Sequence, residues 1–164
     1  MSTPEEILGQ GLNATFQGQS NIRPTVLATI DSTVSSISPN PTESYQDTFV
    51  GTFAYRLTGG FEVAKAGDQT LIRTYNGGTI SREELEKLGV TNDEFIKFLT
   101  VVIIANLNTR LTEDIEYSNG EFHYSYKVTA KHPLINATSG IEEIKFGEVL
   151  IAQHLFNISP IVEG

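Results

Sequence analysis

The chain contains no cysteine and no tryptophan, and its 164 residues include a single methionine. Without cysteine there are no disulfides, no thiolate nucleophiles and no cysteine metal sites, a pattern that fits a reducing compartment. Basic residues are scarce: 11 Lys and Arg stand against 20 Asp and Glu, for a formal charge of −9. No Lys/Arg cluster offsets that field, which argues against a nucleic-acid partner and against an anionic membrane surface. Long apolar runs are also missing. The strongest, Val101 to Ala105, is far shorter than the roughly 20 residues of a membrane span. The opening stretch MSTPEEILGQG has neither the basic n-region nor the apolar h-region of a secretory signal. A soluble protein, cytoplasmic or virion in location and not exported by a signal peptide, is expected.

What is present is a globular composition, with 39% hydrophobic and 19% charged residues, nine Phe and six Tyr. A chain of this length removes roughly 70% of its unfolded surface from water in one core, so residues 1–164 are expected to form a single domain. Thr3-Pro4-Glu5-Glu6 has the order of a capping box with a first-turn proline and opens a helix, which Gly9 and Gly11 should end quickly. Residues 24–34 are rich in β-branched side chains and suit a strand, although Leu27 and Ile30 also suit a helical face. Residues 35–47, SSISPNPTESYQD, are small, polar and twice interrupted by proline. They read as a polar loop or arm, with Ser38, Pro39, Asn40 and Pro41 as its candidate interaction residues.

Alternation predicts strands over 48–57, 61–66 and 70–75, with a two-residue turn at Gly67-Asp68 and a stop at Asn76-Gly77-Gly78. Asn119-Gly120 predicts the turn of a hairpin over 113–130, which would set Tyr117 opposite Phe122, Ile115 opposite Tyr124 and Glu116 opposite His123. In 139–158 a capping box at Ser139 to Glu142 competes with a buried strand, and the end of the segment reads as strand.

Between these groups, Ser81 to Glu84 and Thr91 to Glu94 are two capping boxes, with Gly89 placed to end the first helix. This arrangement resembles the helix-turn-helix family, with Leu85, Gly89, Val90, Phe95 and Phe98 near its packing positions. It departs from that family at Leu85, where a small residue is usual. The resemblance implies a second helix that reads DNA, yet that helix opens with Asn92, Asp93 and Glu94, two of them carboxylates that phosphates would repel. A capped corner that contributes to the core is the better expectation. The helix of 92–111 is apolar on nearly every side, where a surface helix keeps a polar stripe. Val101, Val102, Ile103 and Ile104 are therefore expected at an oligomer interface.

Chemical motifs are absent. His123, His132 and His154 have no ligand spacing, and no nucleophile, phosphate, dinucleotide or metal pattern occurs. The acidic pairs Glu113-Asp114 and Glu142-Glu143 read as solvated. No catalytic, cofactor-binding or metal residue is assigned, and no cofactor is expected. The fold expected is α+β: an antiparallel sheet packed on a long apolar central helix, with a capped helix-turn-helix corner. The function expected is a non-enzymatic structural subunit of a homo-oligomeric assembly, in its concrete form a phage-like tail, neck or capsid component. The alternatives are a small apolar-ligand carrier with a cavity among Phe49, Phe53, Tyr55, Tyr124 and Tyr126, and a helix-turn-helix regulator.

Overall fold

A computed structural model describes residues 2–27, 30–51, 57–106 and 112–161. They form helix α1 (Pro4–Phe16), strands β1 (Asn21–Leu27), β2 (Ile30–Asn40), β3 (Glu43–Val50), β4 (Leu57–Ala66) and β5 (Gln69–Thr79), and helices α2 (Arg82–Lys87) and α3 (Asn92–Ala105). Strands β6 (Ile115–Asn119), β7 (Phe122–His132), β8 (Ala137–Phe146) and β9 (Val149–Ile161) follow. All nine strands join one antiparallel sheet in the order β1-β2-β3-β4-β5-β9-β8-β7-β6. Two meanders thus meet where β9 returns to pair with β5. No helix among the described residues is long and apolar enough to cross a membrane.

The expected sheet on a long apolar central helix is not what forms. The sheet is the dominant element, and α3 has only 14 residues, ending at Ala105; residues 107–111 of the expected helix lie outside the described residues. One face of the sheet is covered by both α1 and α3. Helix α1 lies on β2 to β5, and α3 reaches β6 and β7, where the Phe98 ring stacks on Phe122 at 4.9 Å. Period-two alternation is clear in β3, where Tyr45, Asp47 and Phe49 are buried while Ser44 and Gln46 are exposed.

The 35–47 segment is not a loop or arm. It is the β2–β3 hairpin, with Ser36 opposite Gln46 and Ile37 opposite Tyr45. Small polar side chains suit this place because neighbouring strands complete the backbone hydrogen bonds and α1 lies close above. Ser35, fully buried, is 2.7 Å from both Thr15 Oγ1 and Ser20 Oγ. Pro39 falls where the register shifts between Ile37 and Asn40, a position that asks no ladder hydrogen bond of it. Residues read as strand or helix at 24–34 belong to β1 and β2, apart from 28 and 29, which lie outside the described residues.

Three further expectations change. Gly9 and Gly11 do not end α1, which runs on to Phe16. A Cβ at Gly11 would lie 2.0 Å from the Tyr45 ring, so this glycine is a slot in which the ring sits. Gly77 and Gly78 do not stop β5; a Cβ at Gly77 would lie 2.0 Å from the Gln153 carbonyl, so the residue lets β9 approach. The 113–130 hairpin turns at Gly120-Glu121, one residue later than Asn119-Gly120, with Gly120 at φ +61° in the leading position. Tyr117 therefore faces Tyr124, Ile115 faces Tyr126 and Glu116 faces Ser125. The Glu116–His123 pair does not form: Glu116 bonds Lys127 at 2.7 Å and His123 bonds Ser118. The Gly67-Asp68 turn forms as read, and 139–158 is strand in β8 and β9.

Both capping boxes of the 81–98 corner are in place, and Leu85, Val90, Phe95 and Phe98 are buried in the chain's own core.

Gly11→Ala tests the helix–sheet contact by its sign. Helix propensity alone would make this change stabilising by about 0.5–1 kcal/mol, whereas overpacking against Tyr45 should destabilise by about 1–3 kcal/mol. Chemical denaturation is expected to show the loss.

Candidate functional site

Strand register brings charge into the covered face. Ser35 of β2, Asp47 of β3, Glu62 of β4, Arg73 of β5 and Ile158 of β9 stand side by side in one row across the sheet. Their alternation points them under the helices, and Asp47, Glu62 and Arg73 retain 4%, 1% and 3% of their accessible surface. Arg73 donates to both oxygens of Glu62 through Nε and Nη2, and Tyr45 Oη donates to Glu62 Oε1 at 2.8 Å. The carboxylate thus has three charge-matched or polar donors, the condition under which a buried ion pair is tolerated.

Asp47 is held differently. Tyr75 Oη donates to its Oδ1 at 2.9 Å and lies 3.2 Å from Oδ2. Tyr75 belongs to β5 and must cross β4 to reach Asp47 on β3. Gly60 lies in its path, where a Cβ would sit 2.9 Å from the Tyr75 hydroxyl. Glycine at that position clears the way for the bond.

A second polar station lies two rows further along. Glu142 of β8 faces His154 of β9; its Oε2 accepts from Tyr124 Oη at 2.6 Å, and its Oε1 is 3.4 Å from His154 Nδ1. Phe156 separates the stations. Its ring centroid is 5.8 Å from Tyr75 and 5.9 Å from His154, and the Arg73 guanidinium lies over it at 5.7 Å.

Between this face and the helices is a cavity of about 90 Å³. Leu12 and Phe16 of α1 and Phe95, Leu99 and Ile103 of α3 roof it, and Asp47, Glu62, Arg73, Tyr75, Glu142 and His154 line it with Phe49 and Phe156. Thr79 also lines it, and its Oγ1 is buried without a hydrogen-bond partner. Among the described residues, three carboxyl groups therefore border one apolar space against one guanidinium and one imidazole. Burial, and then the charge of Glu62, push the Asp47 carboxyl up to about 8, against weaker pulls from the Tyr75 hydroxyl and Arg73. Burial drives the Tyr45 and Tyr75 phenols upward too, so both remain neutral donors. Among the described residues no group of three or more His, Asp or Glu could hold a metal ion.

The residues expected at an interface divide. Val101 and Ile104 are exposed on the outside of α3 at 39% and 44%, while Val102 and Ile103 are buried at 0% and 1%, Ile103 on the cavity wall. Ser38, Pro39, Asn40 and Pro41 are exposed at the β2–β3 tip. Of the residues expected around a ligand cavity, Phe49 lines it, Tyr124 and Tyr126 are buried in the core, and Phe53 and Tyr55 lie outside the described residues. The Glu142-Glu143 pair is not wholly solvated: Glu142 turns inward and only Glu143 faces out, where it accepts from Gln153.

Asp47 sets a pH dependence whose sign is fixed. Its carboxyl titrates near the model-peptide value of about 3.9 when unfolded and near 8 when folded, so the native state holds the extra proton between these values. Stability conferred at low pH should be lost as pH rises from about 4 to about 8. Asp47→Asn, which mimics the protonated form, should flatten that decline and raise Tm at pH 8 by at least about 3 °C, read by thermal melts across pH. Arg73→Met should destabilise by about 3–5 kcal/mol because Glu62 is left buried without its cation, and Arg73→Met with Glu62→Met should recover part of the loss, read by denaturant unfolding.

No protein family, characterised protein or solved structure matches this chain, so a functional reading rests on the site itself.

Proposed function

We propose that the chain binds a small ligand, mostly apolar with a polar end, in the cavity between the covered face of the sheet and helices α1 and α3. The observation that carries this reading is the cavity wall: apolar side chains from both helices and the sheet, with polar groups of the sheet converging on the same space. Core charges usually serve pairing alone, yet among the described residues Asp47 has no cation of its own while Arg73 is committed to Glu62. A perturbed carboxyl that faces a cavity is a candidate binding group.

The volume limits the occupant. About 90 Å³ is less than the roughly 150 Å³ of a cavity that takes up benzene, so the occupant has fewer than about six non-hydrogen atoms. A compound of about five non-hydrogen atoms, at a ceiling of about 1.5 kcal/mol per atom, binds no more tightly than micromolar.

The assembly reading keeps one observation of its own. Val101 and Ile104 are three residues apart on the outer side of α3 and leave apolar surface exposed there, which supports a contact with a second copy. The virion version of that reading gains nothing further. Helix α3 needs no partner to cover Val102 and Ile103.

Ligand-observed NMR with C3 and C4 alcohols and amines and C2 and C3 acids should find saturable binding with Kd between about micromolar and about millimolar. Ala152→Leu, which adds volume at a lining residue, should weaken it at least tenfold while the circular dichroism spectrum is kept. If that variant does not fold, Leu12→Phe serves the same purpose from α1. No binding by any probe, or binding untouched by both variants, would overturn the proposal.

A further inference from the structure

We propose that the cavity selects a small organic cation, an alkylammonium, whose charge sits against the Asp47 carboxylate and whose carbon body lies among the aromatic rings of the wall. This inference rests on the cavity being a ligand site.

Charge balance supports the choice of sign. The charged and titratable groups facing Asp47 are Glu62 from β4 and Arg73 and Tyr75 from β5, with Tyr45 on its own strand; Glu142 and His154 border the cavity further along. Helices α1 and α3 bring only Leu12, Phe16, Phe95, Leu99 and Ile103 to the cavity. Glu62 takes up the one guanidinium, since Arg73 Nε and Nη2 both donate to it. Among the described residues Asp47 accepts from a single hydroxyl, that of Tyr75, although a carboxylate offers about four acceptor sites. An anionic ligand entering this space would meet three carboxyl groups. A cation would meet Asp47, which has no countercharge of its own among the described residues.

The walls favour an organic cation over a metal ion. Phe16, Phe49, Tyr75, Phe95 and Phe156 present rings to the cavity, and an ammonium within about 6 Å of such faces is attracted by the ring quadrupole. Arg73 over Phe156 at 5.7 Å already shows a cation on one of these rings. Among the described residues no cluster offers the oxygen and nitrogen ligands a metal requires. Thr79 Oγ1, buried and without a partner, adds an acceptor elsewhere on the wall.

A proton holds the position now. Burial keeps the Asp47 carboxyl protonated up to about pH 8. An ammonium entering below that pH takes the proton's place: the Asp47 O–H bond breaks, the carboxylate remains to face the cation, and one proton leaves to buffer. Affinity for the cation should rise about tenfold per pH unit below 8 and level off above it.

Isothermal titration at pH 7 and 0.15 M salt, with isobutylammonium, isobutanol and propionate as probes and two buffers of different ionisation enthalpy, tests this. The expected result is 1:1 binding of isobutylammonium at least tenfold tighter than isobutanol, release of about one proton per ligand, and no preference for the cation in Asp47→Asn. Proton release is read on the unaltered chain, so the test stands even if the variant does not fold. Isobutanol or propionate binding as well as or better than the cation would overturn the inference and leave the cavity reading intact. Binding by none of the three would overturn both, and cation binding without proton release or saturation would mark mere surface attraction to an acidic chain and overturn the inference.

Discussion

Glu62 and Arg73 are opposite one another on adjacent strands, and several groups of the covered face are arranged to satisfy that buried pair. Two charges taken from water require compensation. Tyr45 provides part of it through Glu62 Oε1 and Phe156 another part beneath the guanidinium. Each of these groups has its own structural demand. Tyr45 needs the slot at Gly11 of α1, and Phe156 needs β9 beside β5, which the close approach at Gly77 allows. The chain from β3 to β9 is thus tied across its longest sequence separation by one buried ion pair and its neighbours.

Asp47 is what this arrangement leaves over. It belongs to the same row, but the guanidinium is committed elsewhere and Tyr75 supplies only a hydroxyl. A protein built for stability alone would have little use for a third carboxyl in such a place, since an apolar residue of similar volume would remove the desolvation penalty. Its position at the edge of a cavity with aromatic walls is what supports the proposed role, a charge exchanged between a proton and a cationic ligand. The Tyr75 hydroxyl, which reaches it past Gly60, fixes where that exchange would occur.

Much of the local structure was legible in the sequence. The capping boxes at Thr3, Ser81 and Thr91 and the turn at Gly67-Asp68 all follow from side-chain chemistry within four residues. What was not legible depends on partners distant in sequence. Residues 35–47 read as loop because serines and prolines cannot bury much surface, but they are small enough to pass beneath α1 as strands. The facing of β4 likewise follows from packing: Phe61 points outward and Ala64, under α1, points in, which turns Glu62 inward with it. Where α1 lies on β4 the small Ala64 fits beneath it, whereas Tyr45 of β3 needs the slot at Gly11 to do so. Without the register, neither Asp47 nor Glu62 can be recognised as a site residue. Glu142 and His154, distant from both in sequence, likewise meet only when β8 and β9 pair.

The most direct test of the account is a carbon-13 NMR titration of the side-chain carboxyl groups in the unaltered protein, with Asp47 assigned by comparison with Asp47→Asn. The account predicts one aspartate whose carboxyl titrates near pH 8, far from the range of about 3 to 5 in which exposed carboxylates titrate. If every aspartate, Asp47 included, titrated in that ordinary range, the covered face would be open to water and the buried, unbalanced site described above would be contradicted.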